Sequence, residues 1–396
     1  MVCANNKKAL SIGTVCVLLY VVNYFLRNVL SVLTPQMLET GEFTVAHIGN
    51  LSSTYMLFYA IGQLINGFLG DILSPKKMIV GGITLAGLAT LAFPFTPIEP
   101  LQVLLFALLG FSLSMLRGPL MKIISENTAP NQARLICVFF SCAGFVGPLV
   151  ASLVAMLNNW TWSFIVSGVI SLASAVVAYI VLSAMEKNGT IKVNKAGWQG
   201  FSGLSAVFKI EKFFFYMAIA CLTEISGAAI TFWIPTYLTD ALLFEKTTAN
   251  MIYSAISIVR AMMPFVALFI FRLVNEKDIP MTRVSFAIAT AAFTAMYFLE
   301  NRILNLALFI LALVALSCVS ALLWSIYIPS LGKTGRVSSV NGVLDCSGYA
   351  AAALTNLVFA GAVAKVGWSG VIIIWALLGV AGIITTFFAN KRKKDA

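Results

Sequence analysis

Five ionisable side chains, Arg27, Arg117, Glu224, Arg260 and Asp345, each interrupt an apolar stretch long enough to cross a bilayer. A charge at that depth is disfavoured by about 2.5–3.5 kcal/mol on insertion scales, so such residues normally face a water-filled cavity or a partner and mark a substrate or ion pathway. Three of the five are arginines, whose planar fork of donors suits carboxylate or phosphate oxygens and stays protonated in almost any setting. The excess of cations over acids points to an anionic ligand.

Arg27 is the strongest anchor. Tyr24, Arg27, Ser31 and Thr34 recur at three- and four-residue steps and share one helical face, with Asn23 beside them and Leu26, Leu30 and Leu33 elsewhere. The competing reading is an arginine tied to helix carbonyls or an acidic neighbour. Glu224 shares a face with Gly227 and Thr231, and Arg260 shares one with Tyr253, Ser257 and Pro264; a Glu224–Arg260 pair would lower the burial penalty of both. That pair reads equally as a structural clamp or as a functional one for which substrate or proton competes. Asp345, with Ser338, Asn341, Gly348 and Tyr349 on nearby turns, is either a proton carrier or the acceptor of an interhelical bond from a basic residue. Arg117 precedes Gly118 and Pro119 and either contacts ligand or snorkels to the headgroups. Trp324 and Tyr327, with Ser317 and Ser320, and Trp233 offer aromatic and hydroxyl surface, though aromatics at helical spacing more often pack or lie at the interface.

The elements that must position these groups are membrane helices. The chain of 396 residues is 60% hydrophobic and only 10% charged, far from the soluble average. A span needs about 20 apolar residues, and twelve such runs fall near 9–33, 45–70, 78–96, 99–124, 135–157, 161–185, 212–238, 247–273, 280–299, 303–329, 337–364 and 368–389. Their continuity argues against barrel strands, and the first is too long for a cleaved signal core. Basic residues such as Lys7, Lys8, Lys76, Lys77, Lys122, Lys195, Lys333 and Arg336 and the KRKK tail then fall on one side, with Lys246, Arg302 and Lys365 on the other. Both termini are expected in the cytoplasm of a cell membrane. The net charge of +11 is a topology signal with a tail for anionic lipid, and no nucleic-acid partner is expected. The seven cysteines lack metal-ligand spacing, so no disulfide, metal or cofactor is expected.

The polar segment 186–211 separates an N-terminal bundle (1–185) from a C-terminal one (212–396), six spans each. Internal similarity agrees: TPQML (34–38) matches IPTYL (234–238), and SCAGF (141–145) matches DCSGY (345–349). Such parallel repeats are a known transporter architecture. Between the second and third spans, GFLGDILSPKK carries Gly67 for close helix approach, Asp71 to cap the helix end, Pro75 for the turn, and Lys76 and Lys77 to anchor the cytoplasmic side.

That G-x-x-x-D-x-x-x-x-K/R-K spacing resembles the cytoplasmic loop motif of the major facilitator superfamily, and Ser74-Pro75-Lys76 resembles the variant in its organophosphate antiporter branch. NYFLRNVLS (23–31) resembles the first helix of that branch and of the related anion:cation symporters. The resemblance implies an all-α protein of twelve helices in two pseudo-symmetric bundles, a central cavity reached alternately from either side, and a gating role for Gly67, Asp71, Lys76 and Lys77. It also exposes departures. Aligning Pro35 with Pro235 sets Arg27 opposite Gly227, where organophosphate antiporters typically carry a second phosphate-clamping arginine; Arg117 stands where symporters often have an acid, and Leu26 where they usually have Asp.

The expected function is secondary transport of a small organic anion, a sugar acid, other carboxylate or sugar phosphate, by a monomer, with a coupling proton or counter-anion. Proton-coupled transport of a neutral or cationic solute is the alternative that Glu224 and Asp345 raise, and a transporter-like anion sensor is a third. An enzyme is not expected: the sole histidine, His47, lies outside the cavity pattern, and no HExxH, nucleophile elbow or P-loop occurs.

Overall fold

The computed structural model describes residues 2–192 and 202–391, with some side chains inside helices, 228–233 and 354–365 among them, left undescribed. Lys195, the tail beyond Lys391 and the side chains of Thr231 and Trp233 lie outside the described residues. The described chain is built of helices joined by short turns, as backbone groups in hydrocarbon must find their partners within the segment. Among the described residues, nine helices are long and apolar enough to cross a membrane.

The helices are α1 (Val2–Glu39), α2 (Val45–Ile72), α3 (Pro75–Ala92), α4 (Glu99–Asn127), α5 (Pro130–Ser141), α6 (Ala143–Ala155), α7 (Trp160–Lys187), α8 (Ser202–Phe208), α9 (Phe213–Thr236), α10 (Lys246–Leu273), α11 (Asp278–Phe298), α12 (Arg302–Ala321), α13 (Ile328–Ser330) and α14 (Val337–Lys391). Their starts follow local chemistry. Thr44 caps α2 by accepting from the His47 amide, Asn159 caps α7 by accepting from Trp162, and Pro75 opens α3 at a position where its missing N–H costs nothing.

Four spans depart from the expected runs. The fifth breaks at Cys142 into α5 and α6, six residues ahead of Pro148, which has no N–H for the Gly144 carbonyl. The tenth leaves α12 through a π turn, Leu322–Tyr327, that holds both Trp324 and Tyr327. The last two run on as α14, interrupted at Gly367, whose φ of 64° suits a residue without a Cβ. Within the expected linker, the apolar Ser202–Phe208 forms the short α8.

The chain gathers into two compact units, residues 1–207 with 328–346, and residues 208–327 with 347–396. In the first, α2 packs on α4, α3 on α4 and α7, and α1 on α6. In the second, α12 receives α9, α10 and α11.

Candidate functional site

In the first unit, α1 turns the predicted face toward open space. Leu26, Leu30 and Leu33 are buried, whereas Tyr24, Arg27 and Thr34 are half-buried and Ser31 is exposed. Arg27, Ser31 and Thr34 line a cavity of about 310 Å³ together with Ser52 and Tyr55 of α2 and Thr90 of α3, and the rest of its wall is apolar, Leu26 and Leu30 included. That volume is at the small end of ligand pockets. The Arg27 guanidinium lies over two aromatic faces, 5.7 Å from the Tyr24 centroid and 5.1 Å from that of Tyr59. Cation–π contact of this kind stabilises the charge and orients its fork, and one terminal nitrogen lies 4.0 Å from the Met56 sulfur. Asn23 instead faces α4, donating to the Leu113 carbonyl at 2.7 Å.

A second cationic group stands on α4. Arg117, 13% exposed, donates to the Asp345 carboxylate on α14 at 2.5 Å, and Asp345 is only 3% exposed. Asp345 thus makes the interhelical bond, and Arg117 turns inward rather than snorkelling. Asn341, one turn before Asp345, donates to its other oxygen at 3.2 Å. Tyr20, Tyr24 and Tyr59 lie within electrostatic reach of Arg117, and Arg27 within that of Asp345. Arg27, Arg117, Asp345 and three tyrosines therefore form one cluster inside a single unit.

At the end of α2 the loop motif acts differently from the expectation. Asp71 does not cap its own helix. Its two carboxylate oxygens accept from the backbone N–H groups of Ser338 (3.1 Å) and Ser339 (2.8 Å) at the start of α14. The reason is electrostatic: a carboxylate is disfavoured at the C-terminal end of α2 and favoured at the N-terminal end of α14. Gly67 lies against Gly342, where a Cβ on Gly67 would come within 2.8 Å of the Gly342 Cα. Lys76 is bound to Glu186 at 2.6 Å and covers the Tyr179 ring, which ties α3 to the end of α7, while Lys77 is exposed. Lys122, expected among the inner-side charges, is 1% exposed; its ammonium donates to the Asp71 carbonyl at 3.0 Å and lies 3.6 Å from the Asp71 carboxylate. It serves the C-terminal carbonyls of α2 that Asp71 cannot.

In the second unit, Glu224 of α9 packs its Cγ where a Cβ on Gly348 of α14 would stand, and Arg260 of α10 lies within electrostatic reach of Glu224 and Tyr253. Beside Gly227 there is open space. Tyr327 is committed to packing: its ring stacks on Tyr216 at 3.7 Å and its hydroxyl donates to the Glu211 carbonyl. Trp324 is buried within the same π turn. Among the described residues no group of side chains is arranged to hold a metal ion.

The model of the Major Facilitator Superfamily matches residues 16–353. The chain belongs to that superfamily. Its members are membrane transporters rather than enzymes, and the fold agrees: the proton:xylose symporter XylE, solved with 6-bromo-6-deoxy-D-glucose, matches with a TM-score of 0.72 over 97% of this chain and 96% of its own, at 13% identity. A phosphoglycerate transporter protein of Salmonella typhimurium is 24% identical over 170 residues, 41% of this chain and 37% of that protein. The chain thus matches little more than a third of that relative's length. A probable sulfoacetate transporter, SauU, of Cupriavidus necator is 23% identical over 253 residues, 59% of this chain and 58% of that protein. The membrane sensor protein UhpC of Salmonella typhimurium is 22% identical over 265 residues, 58% of this chain and 57% of that protein.

Sequence reasoning missed Tyr59, Tyr20 and Lys122. Tyr59 had a usable signal, since Tyr55 and Tyr59 repeat at one turn on α2, but nothing local tells which helix they face. His47 also gains a setting: its Nε2 lies 2.6 Å from the Gln102 side-chain oxygen and its Nδ1 3.8 Å from Glu99, next to the cavity-lining Ile48 and Gly49.

Proposed function

We propose that this protein is a secondary transporter of a small organic anion, working by alternating access in the cell membrane with both termini cytoplasmic. The observation that carries the reading is the Arg27 guanidinium, set over Tyr24 and Tyr59 at the wall of a cavity whose mainly apolar lining is broken by Ser31, Thr34, Ser52, Tyr55 and Thr90. An arginine at that depth beside a cavity suits an oxyanion, whose two oxygens match the guanidinium fork. The relatives named for phosphoglycerate and sulfoacetate support the anion class. Because Arg27 lacks a partner arginine at Gly227, a carboxylate fits better than a phosphate gripped from both repeats. Reconstitution in proteoliposomes with radiolabelled glucuronate tests this: saturable uptake, competed by other sugar acids, is expected, and the absence of anion-dependent flux would overturn it.

The likeness to a membrane sensor favours a second reading, binding without transport. The same assay separates the two, since a sensor binds the anion and carries none.

Coupling rests on the acids. Glu224→Gln keeps the shape but cannot ionise, so a proton symporter using Glu224 loses the pH dependence of uptake and retains exchange. A pH profile unchanged in both Glu224→Gln and Asp345→Asn makes the protein an obligatory exchanger.

Orientation is tested by labelling in intact cells. A cysteine at Asn159 is expected to react with an impermeant thiol reagent and one at Asn188 to resist it. Labelling at Asn188 from outside reverses the topology.

A further inference from the structure

We propose that Gly49 of α2 sets the length of the anion this protein takes, because the side chain it lacks is the space that the far end of a six-carbon sugar acid fills. The inference rests on the anion-transport reading and adds a specificity-determining residue to it. Arg27 stands at one end of the cavity, level with the middle of α2, since its guanidinium lies over the Tyr59 ring and 4.0 Å from the Met56 sulfur. From there α1 runs on to Glu39, and the chain doubles back into α2 at Val45. Thr34 of α1 and Val45, Ile48 and Gly49 of α2 therefore line the other end. Arg27 to Thr34 and Gly49 to Met56 are each seven residues of helix, a rise of about 10 Å. Ser31 and Ser52 lie between, with hydroxyls to meet those of a ligand.

A glycine inside a helix destabilises it relative to alanine, and the later glycines of α2 offset this by letting neighbours approach. A Cβ at Gly62, Gly67 or Gly70 would run into Ser114, Gly342 or Ser338 respectively. Gly49 is different. It lies in ordinary helical backbone, and among the described residues a Cβ there would meet nothing within 4 Å. What a side chain at 49 would take away is cavity volume, and about 310 Å³ leaves little to spare. A six-carbon sugar acid whose carboxylate pairs with Arg27 carries its far hydroxyls to the level of Gly49, whereas a three-carbon hydroxy acid ends near Ser31 and Ser52. Bulk at position 49 excludes the first and admits the second.

The test measures equilibrium binding of glucuronate and of glycerate to the purified protein. Wild type is expected to bind glucuronate at least as tightly as glycerate, and Gly49→Leu to weaken glucuronate by roughly tenfold or more while glycerate stays within a few-fold. Gly49→Ala, which adds one methyl, is expected to shift the ratio in the same direction by roughly threefold, and it decides the question should leucine unfold the protein. Gly81→Leu is the control: Gly81 of α3 also has open space beside it but stands away from this cavity's wall, so its ratio should match that of wild type. An unchanged ratio in both Gly49 variants, an equal loss of both probes, the same shift in Gly81→Leu, or a wild type that prefers glycerate would each overturn the inference while leaving anion transport intact. Binding of neither probe by wild type would instead overturn the transport reading, and the inference with it.

Discussion

Arg27→Lys is expected to lower anion uptake by roughly tenfold or more while the protein folds and inserts normally. The charge is conserved, so the field that draws an anion into the cavity persists. What changes is shape. The guanidinium lies across Tyr24 and Tyr59, which sets the plane in which its N–H groups project. An ammonium has three short donors on a flexible stem, pairs as a point charge, and cannot match both oxygens of a carboxylate at once. A loss concentrated in affinity, with the maximal rate preserved, identifies Arg27 as an anchor that binds ground and transition states alike. Thermal unfolding of the variant close to that of wild type excludes a folding defect, and full uptake by Arg27→Lys removes Arg27 as the anchor. Tyr59→Phe, which keeps the aromatic face, is the matching control and should transport near the wild-type rate.

Arg27 was legible because its cost is local: a guanidinium amid leucines and valines declares itself from composition, and the spacing of Tyr24, Ser31 and Thr34 shows which way it faces. Gly67 and Asp71 were legible as a motif but not as a mechanism. Asp71 is bound to amides 267 and 268 positions further along the chain, and nothing near Asp71 names that partner. Its neighbours even point the wrong way, since an acid beside Pro75 and two lysines reads as a cap for the adjacent turn. The partners of Lys122 were hidden for a related reason. A lysine near a helix end looks solvated unless the carbonyls waiting for it, those of Gly70 and Asp71, are known to lie opposite. For Asp345 the interhelical bond depended on whether a base lies across the helix interface, and Arg117 supplies it. The breaks at Cys142 and in the π turn at 322–327 escaped notice because hydropathy registers the length of a span and not the continuity of its hydrogen bonds.

Asp71→Asn is expected to slow transport by roughly tenfold while changing anion affinity by no more than a few-fold. The carboxylate is fully buried and each oxygen takes a backbone amide, Oδ1 from Ser338 and Oδ2 from Ser339. An asparagine offers one acceptor in place of two and sets its own N–H2 against the second amide, so one buried donor goes unmet; hydrogen bonds to a charged group are worth about 1.5–3 kcal/mol. The anion at the α14 N-terminus is lost as well, a further 0.3–1 kcal/mol or about 2 in a buried geometry, and Lys122 loses the nearer of its two counter-charges, keeping Glu126 at 4.0 Å. These losses fall on the attachment of residues 337–346 to α2 and α4, not on Arg27 or its cavity. Hydrogen exchange at the amides of Ser338 and Ser339 should therefore accelerate in the variant, reporting more frequent release of this segment, while glucuronate binding in detergent stays within a few-fold of wild type. Loss of binding in a folded Asp71→Asn protein would place Asp71 in the ligand site instead; unchanged exchange together with unchanged transport would show that the segment is held by Gly67 and its neighbours without the carboxylate.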